Sequence, residues 1–304
     1  MTQKWKQFIA RFPISNPSSK ILVDLSHFGI IKVSGPDAAK FLQGQFTCDV
    51  STLEHGDHTL GAYCNIKGKI ESLFRIWRHD ADFYLRLPAG LVDPTMQELQ
   101  KYAIFSKIEL LHASNHISGF GISNKSIILN FIDPQLAILE LKAGQRYEIY
   151  GPTQALEHAW HECIKHADHV DPLQWELLDI QAKIPEIYPE TSGAFFPHDL
   201  NLPELGAVSF TKGCFRGQEI IARMQHRGNI KRSMHSFAGD LNGLNAGALI
   251  TVGGAEQEAV AGTVVRTCVS TSGATVGLAV ITESMLGQQL YAGMPPVELS
   301  LDLA

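Results

Sequence analysis

The stretch AYCNIKGKIESLFRIWRHDADFYLRL, residues 62–87, sets the class of the fold. Its apolar runs LFRIW (73–77) and FYLRL (83–87) have strand length, and Lys67-Gly68-Lys69 reads as a turn, so the segment predicts a meander of strands. Upstream, IIKV (30–33) reads as a further strand and SGPDAAKFLQG (34–44) as a helix. Pro36 suits a first helical turn, Asp37 favours the positive helix start, Phe41 and Leu42 face inward, and Gly44 can end the element. Downstream, DPTMQELQKYAIF (93–105) repeats that grammar. Helices interspersed with strands in this way predict an α+β fold. Six residues separate Gly61 from Gly68-Lys69, where a nucleotide-binding P-loop has four, and no Ser or Thr follows the lysine, which excludes that motif.

Two further helices follow. PTQALEHAWHECIKHADH (152–169) carries four histidines, but His161 and His166 are five residues apart, about 140° around a helix, and cannot share one metal; no metal site is expected. DPLQWELLDIQAKIP (171–185) has Asp171 as N-cap, Pro172 at the first position and a stop before Pro185. Leu173, Leu177 and Ile180 form one stripe, and Trp175 points away from it, either into a second layer or into a cavity. The long irregular ETSGAFFPHDLNLPELGAVSF (190–210) comes next, and loops of that length commonly carry function. From Ser233 to Ala304 the helical signal disappears. HSFAG, ALITVGG, VAGTVVRTCVS and ATVGLAVI read as short antiparallel strands of a separate small barrel.

With 304 residues, 45% of them hydrophobic, the chain has globular composition and room for two or three domains. No apolar stretch approaches the roughly 18 residues of a membrane span, and MTQKWKQFIARF lacks the apolar core of a secretory signal, so a cytoplasmic, unexported protein is expected. The first 23 residues are basic and acid-free, with Trp5, Phe8, Ile9 and Phe12 at helical spacing. They read as a short amphipathic helix packed on the domain, the same pattern also suiting an organellar transit peptide. Five scattered cysteines, with no C-x-x-C, indicate neither a disulfide framework nor a zinc ribbon and suit a reducing compartment.

The chemistry concentrates in TKGCFRGQEIIARMQHRGNIKR (211–232), where six basic residues face one acid. The remaining 19 basic and 30 acidic residues leave −11 elsewhere, so a patch of +5 can steer anions to one place. A helix begins near Gly217, with Ile220, Ile221 and Met224 inward and Gly228 at its end. Cys214 therefore precedes a helix N-terminus beside Lys212 and Arg216, an environment that favours thiolate. Such a thiolate can serve as nucleophile, redox sensor or metal ligand, and the free amides can hold a carboxylate or phosphate. The plain alternative is a buried filler cysteine before a solvated helix face, with Glu219 and Arg223 paired at i, i+4.

Lys212-Gly213-Cys214-Phe215-Arg216-Gly217-Gln218-Glu219 resembles the K-G-C-Y-x-G-Q-E motif of the YgfZ family, folate-binding relatives of the glycine-cleavage T-protein that support iron–sulfur proteins. LQGQFTCDV (42–50), CNIKGKIESLFRI (64–76), KYAIFSKI (101–108) and QWELLDIQAKIPEI carry the same resemblance, which spans roughly residues 20–300. It implies a three-domain ring around a central tetrahydrofolate cavity, ending in the antiparallel β-barrel. Residues 1–20 are then an N-terminal extension, 21–232 a folate-binding T-protein-like region of two interleaved α+β domains, and 233–304 the barrel. The family's folate-flanking aromatics fall on Phe28 and Trp175, and its functional cysteine on Cys214, with Lys212 close by. Gln218 and Arg223 join Phe28 and Trp175 as expected cofactor-binding residues. Phe215 stands where the family has Tyr, which retains the ring and removes a phenol.

The expected function is a tetrahydrofolate-binding factor that supports assembly or repair of [4Fe–4S] enzymes through Cys214, radical tRNA-modifying enzymes among them. Its partners are then reduced folate and iron–sulfur client enzymes, with tRNA involved only indirectly and no membrane. One alternative is a folate-dependent aminomethyl or one-carbon transferase, for which Glu71 is the available carboxylate. A second is a tRNA-binding module that uses the basic residues from Arg216 to Arg232.

Overall fold

A computed structural model describes residues 3–16, 19–123, 133–142, 145–227, 231–241, 243–253, 259–270, 273–293 and 295–302. Helix α1 (Gln3–Ile9) is followed by strands β1 (Ile21–Asp24) and β2 (Phe28–Ser34), then helix α2 (Ala38–Gln45). Strands β3 (His58–Cys64), β4 (Ile70–His79) and β5 (Asp82–Pro88) form the expected meander and lead to helix α3 (Val92–Ala103). Strands β6 (Glu109–His112), β7 (Ile117–Ile122), β8 (Ala137–Lys142) and β9 (Arg146–Pro152) precede helix α4 (Thr153–Cys163) and the short strand β10 (Asp168–His169). Helices α5 (Leu173–Gln181) and α6 (Gln218–Arg227) complete the helical part. The chain ends in β11 (Arg232–Gly239), β12 (Leu249–Val252), β13 (Ala259–Val269), β14 (Thr275–Thr282), β15 (Leu290–Ala292) and β16 (Val297–Asp302).

The fold is α+β, as the sequence predicts. Two five-stranded sheets have the orders β10-β1-β7-β9-β8 and β3-β4-β5-β2-β6, and β11-β14-β13-β12-β15-β16 closes into the C-terminal antiparallel barrel. By compactness the chain divides into one unit of residues 1–43, 50–59 and 74–175 and another of residues 44–49, 60–73 and 176–304.

In the first unit, β7 and β9 send Phe120, Ile122, Tyr147 and Ile149 into a core with Leu156, Ala159 and Trp160 of α4. The N-terminal segment joins that core: Trp5, Phe8 and Ile9 are buried, Phe12 packs alongside, and the Trp5 indole N–H donates to Asp24 at 2.8 Å. Burying each of these large apolar side chains is worth about 1.5–3 kcal/mol, which is why a seven-residue helix holds its place. Of the four histidines of 152–169, His161 packs against Phe8 and Phe12 and His169 against Trp160, whereas His158 and His166 are exposed. α4 stops at Cys163 because Asp168 and His169 pair in parallel with Ile21 and Leu22. Helix α3 likewise ends at Ala103, two residues short of the predicted end, where turn bonds from Ser106 to Ala103 and from Ile108 to Ser106 take over.

In the second unit, alternate barrel residues Phe237, Ile250, Val264, Ala279, Ile281, Leu290 and Leu299 fill the barrel core. Arg266 of β13, fully buried, ion-pairs with Glu176, lies 3.5 Å from Asp179 and donates to the Ile184 carbonyl at 3.0 Å. Burial opposes its charge, but the surrounding carboxylates more than reverse this and raise its pKa. α5, whose first turn belongs to the first unit, is capped as expected, Asp171 accepting from the Leu173 amide at 2.9 Å. Its buried positions are Trp175, Asp179 and Ile180, whereas Leu173 stands in solvent. The apolar stripe was the wrong guide at Leu173 because polar partnerships of Trp175 and Asp179 decide which positions are buried.

Candidate functional site

The candidate residues fall into two groups, one in each unit. In the first unit the sheet register assembles a buried layer of charge. Arg75 of β4 lies directly opposite Arg86 of β5, and two residues further on Trp77 lies opposite Tyr84. Like charges across a strand pair repel, and the compensation comes from β9. Tyr147 and Ile149 of that strand point into the apolar core, so Arg146, Glu148 and Tyr150 share the opposite face. Glu148, wholly buried, lies 3.3 Å from Arg75 Nε and 3.5 Å from Arg86 Nη2. It also accepts from the Tyr150 hydroxyl at 2.9 Å and from the Trp175 indole N–H at 3.4 Å. Burial alone would push its pKa up, but Arg86, Arg75, the Tyr150 hydrogen bond and Arg146 hold it down at about 2. Tyr150, buried beside that carboxylate, has its pKa raised by burial and by the Glu148 charge.

Phe28 and Trp175, the two expected flanking aromatics, both meet this network. The Arg86 guanidinium covers the Phe28 ring at 3.8 Å, and that of Arg146 lies 5.3 Å from the Trp175 ring. Trp175 also packs on Gly121, whose place opposite Glu148 in the ladder leaves room for an indole: a Cβ there would lie 2.8 Å from its ring atoms. Phe28 is 5% exposed and Trp175 not at all, so a ligand stacks on either ring only after that ring's cover moves.

The second unit holds the motif. Cys214 is exposed, and Cys48, Cys64, Cys163 and Cys268 are all buried. The buried Lys212 turns inward and donates through Nζ to the carbonyls of Phe46 (2.7 Å) and Cys48 (2.6 Å), with Phe215 5.2 Å below its ammonium. Burial lowers its pKa to about 8. These bonds fasten the loop that presents the thiol. Arg216 lies over the Tyr63 ring at 4.9 Å.

Helix α6 starts at Gln218, after Gly217 with φ of +79°. A Cβ at 217 would lie 2.6 Å from the Asn65 carbonyl oxygen and 3.1 Å from Gly68 Cα, so the helix start is seated on the 65–69 turn in a way only glycine allows. Lys69 of that turn donates to the Ala194 carbonyl at 2.9 Å and covers the Phe196 ring at 3.7 Å, and the Ile70 amide bonds Phe195. The irregular 190–210 segment is thereby tied to the same turn. Gln218 is half-buried, and Arg223 is exposed and paired with Glu219 at 3.0 Å, the expected i, i+4 contact. Ile221 is buried and Ile220 and Met224 half-buried; Gly228, the expected helix stop, lies outside the described residues.

The motif reading located Cys214 and Lys212, but no local signal located Glu148, Arg75, Arg86 or Arg146. Charges alternating with apolar residues in RYEIYG (146–151) read as the wet face of a half-buried strand. Only the packing of the sheets buries them together.

The model of the GCVT N-terminal domain matches residues 3–123. A glycine cleavage system aminomethyltransferase T from Bartonella henselae superposes with a TM-score of 0.74 over 98% of this chain and 88% of its own, at 16% identity. The fold is therefore aminomethyltransferase-like. Among curated relatives, the tRNA-modifying protein YgfZ of Vibrio atlanticus (strain LGP32) is 32% identical over 225 residues, 72% of this chain and 70% of that protein. That of Klebsiella pneumoniae (strain 342) is 32% identical over 249 residues, 75% and 76% of the two chains. The chain belongs to the YgfZ family.

Proposed function

We propose that this protein binds tetrahydrofolate at the Glu148 network and uses the Cys214 thiol to support assembly or repair of [4Fe–4S] enzymes in the cytoplasm. The relatives' name, tRNA-modifying protein, favours clients that modify tRNA, so that tRNA is reached through those enzymes. The observation that carries the folate reading is that Phe28 and Trp175 meet on one buried carboxylate–guanidinium cluster. The donor set fits the ring end of the cofactor: planar rings for a pteridine and a carboxylate acceptor for its amino-bearing edge. Phe28, Arg86, Glu148 and Trp175 are the residues that would hold it. When bound, tetrahydrofolate supplies a reduced pteridine able to carry a one-carbon unit. Arg86 and Glu148 orient each other, and Arg86, Arg75, the Tyr150 hydrogen bond and Arg146 hold Glu148 in its ionised form.

The Cys214 reading is supported by exposure: it is the thiol a partner can reach, on a loop anchored by Lys212. Its test is complementation. In cells lacking the native protein, Cys214→Ser is expected to abolish the support of iron–sulfur enzyme activity while expressing and melting like wild type. Full support by that variant would refute the role.

A further inference from the structure

A cavity of 210 Å³ lies within the first unit, lined by Trp77, Tyr84 and Tyr150, with Ile117, His79 and Gln135 also at its wall. Neither Phe28 nor Trp175 lines it. Trp77 is nearly parallel to both tyrosines, with ring centroids 5.4 Å from Tyr84 and 4.7 Å from Tyr150, so the wall is one aromatic stack contributed by β4, β5 and β9. Three features define an occupant. The volume is below the roughly 300 Å³ at which drug-sized sites begin, which admits a one- or two-ring heterocycle and not a whole folate. No carboxylate, lysine or arginine is among the described lining residues, which favours an uncharged occupant. Gln135, an exposed residue of the lining, carries an amide with a donor and an acceptor side by side, the pattern with which glutamine pairs to the edge of adenine.

We propose that this cavity binds a single uncharged planar heteroaromatic ring bearing a hydrogen-bond donor beside an acceptor. Aromatic walls suit such a ring, whose stacking or edge contacts tolerate many ring identities, and Gln135 supplies the selection. Two sources share this chemistry, a nucleobase and the pterin ring detached from the rest of a folate. The inference does not rest on the folate reading, because it shares only Tyr150 with the Glu148 network.

The test is titration of the full-length protein with adenosine and, separately, with 6-methylpterin, following tryptophan fluorescence and calorimetry. Saturable binding of adenosine that weakens about tenfold in Gln135→Ala, the loss that accompanies one hydrogen bond, supports the site with a nucleobase as source. The same pattern with 6-methylpterin supports it with a pterin as source. Ala137→Phe, which fills the cavity from β8, is expected to abolish binding, and a melting curve checks that it folds. If it does not fold, Gln135→Ala at its exposed position still decides. Binding of neither compound, or binding indifferent to Gln135→Ala, would overturn the proposal.

Discussion

Glu148 is withdrawn from water, and its neighbours decide its charge. Its side chain meets two arginines, a phenol and an indole N–H, so replacing it with glutamine removes the counter-charge and leaves guanidiniums buried. Glu148→Gln is expected to destabilise the fold by about 3–5 kcal/mol, measured by denaturant unfolding at neutral pH. The pH dependence has a definite sign. With a folded value of about 2 against an ordinary 4.5, the unfolded chain binds the extra proton in that window, so the contribution is present above pH 4.5 and is lost on acidification toward pH 2. The gap between wild type and Glu148→Gln should narrow over that range; a gap independent of pH would contradict it. The cysteines give a second test at this scale. Burial pushes Cys48 and Cys163 up to about 12 and Cys268 to about 11, and Cys64 is raised as well. A disulfide reagent at neutral pH should therefore label one thiol rapidly in the folded protein and none in Cys214→Ser. Cys214 was legible because its motif is contiguous, whereas Glu148 and its arginines come from three strands that only the folded sheets bring together.

At the scale of elements, the seat of α6 on the 65–69 turn depends on Gly217. Its positive φ and the 2.6 Å approach to the Asn65 carbonyl leave a methyl group no place, so Gly217→Ala should cost about 1–3 kcal/mol. The same variant should raise the protease sensitivity of the 211–218 loop; a variant as stable as wild type would mean that the turn yields freely. Sequence grammar placed α2, α3, α5 and α6 to within a few residues, since caps and apolar spacing are local signals. It misjudged Leu173 because burial of α5 follows a hydrogen bond from Trp175 and an ion pair at Asp179, which no periodicity encodes. The barrel was legible from Gly-rich, β-branched runs.

At the scale of the whole molecule, the proposed function divides between the two units: a buried charged network for the cofactor in one, an exposed thiol in the other. The tasks should separate by mutation, with Cys214→Ser leaving cofactor affinity unchanged. The net charge of −6 with a basic stretch at 211–232 fits local recognition of anions better than a surface that coats nucleic acid. The most direct test is an anaerobic titration of the full-length protein with tetrahydrofolate, following tryptophan emission in wild type and in Trp175→Phe. Saturable quenching in wild type, with smaller amplitude and weaker affinity in Trp175→Phe, is the expected result. Absence of a saturable response to any reduced folate, or identical curves for the two proteins, would contradict a cofactor site at the Glu148 network.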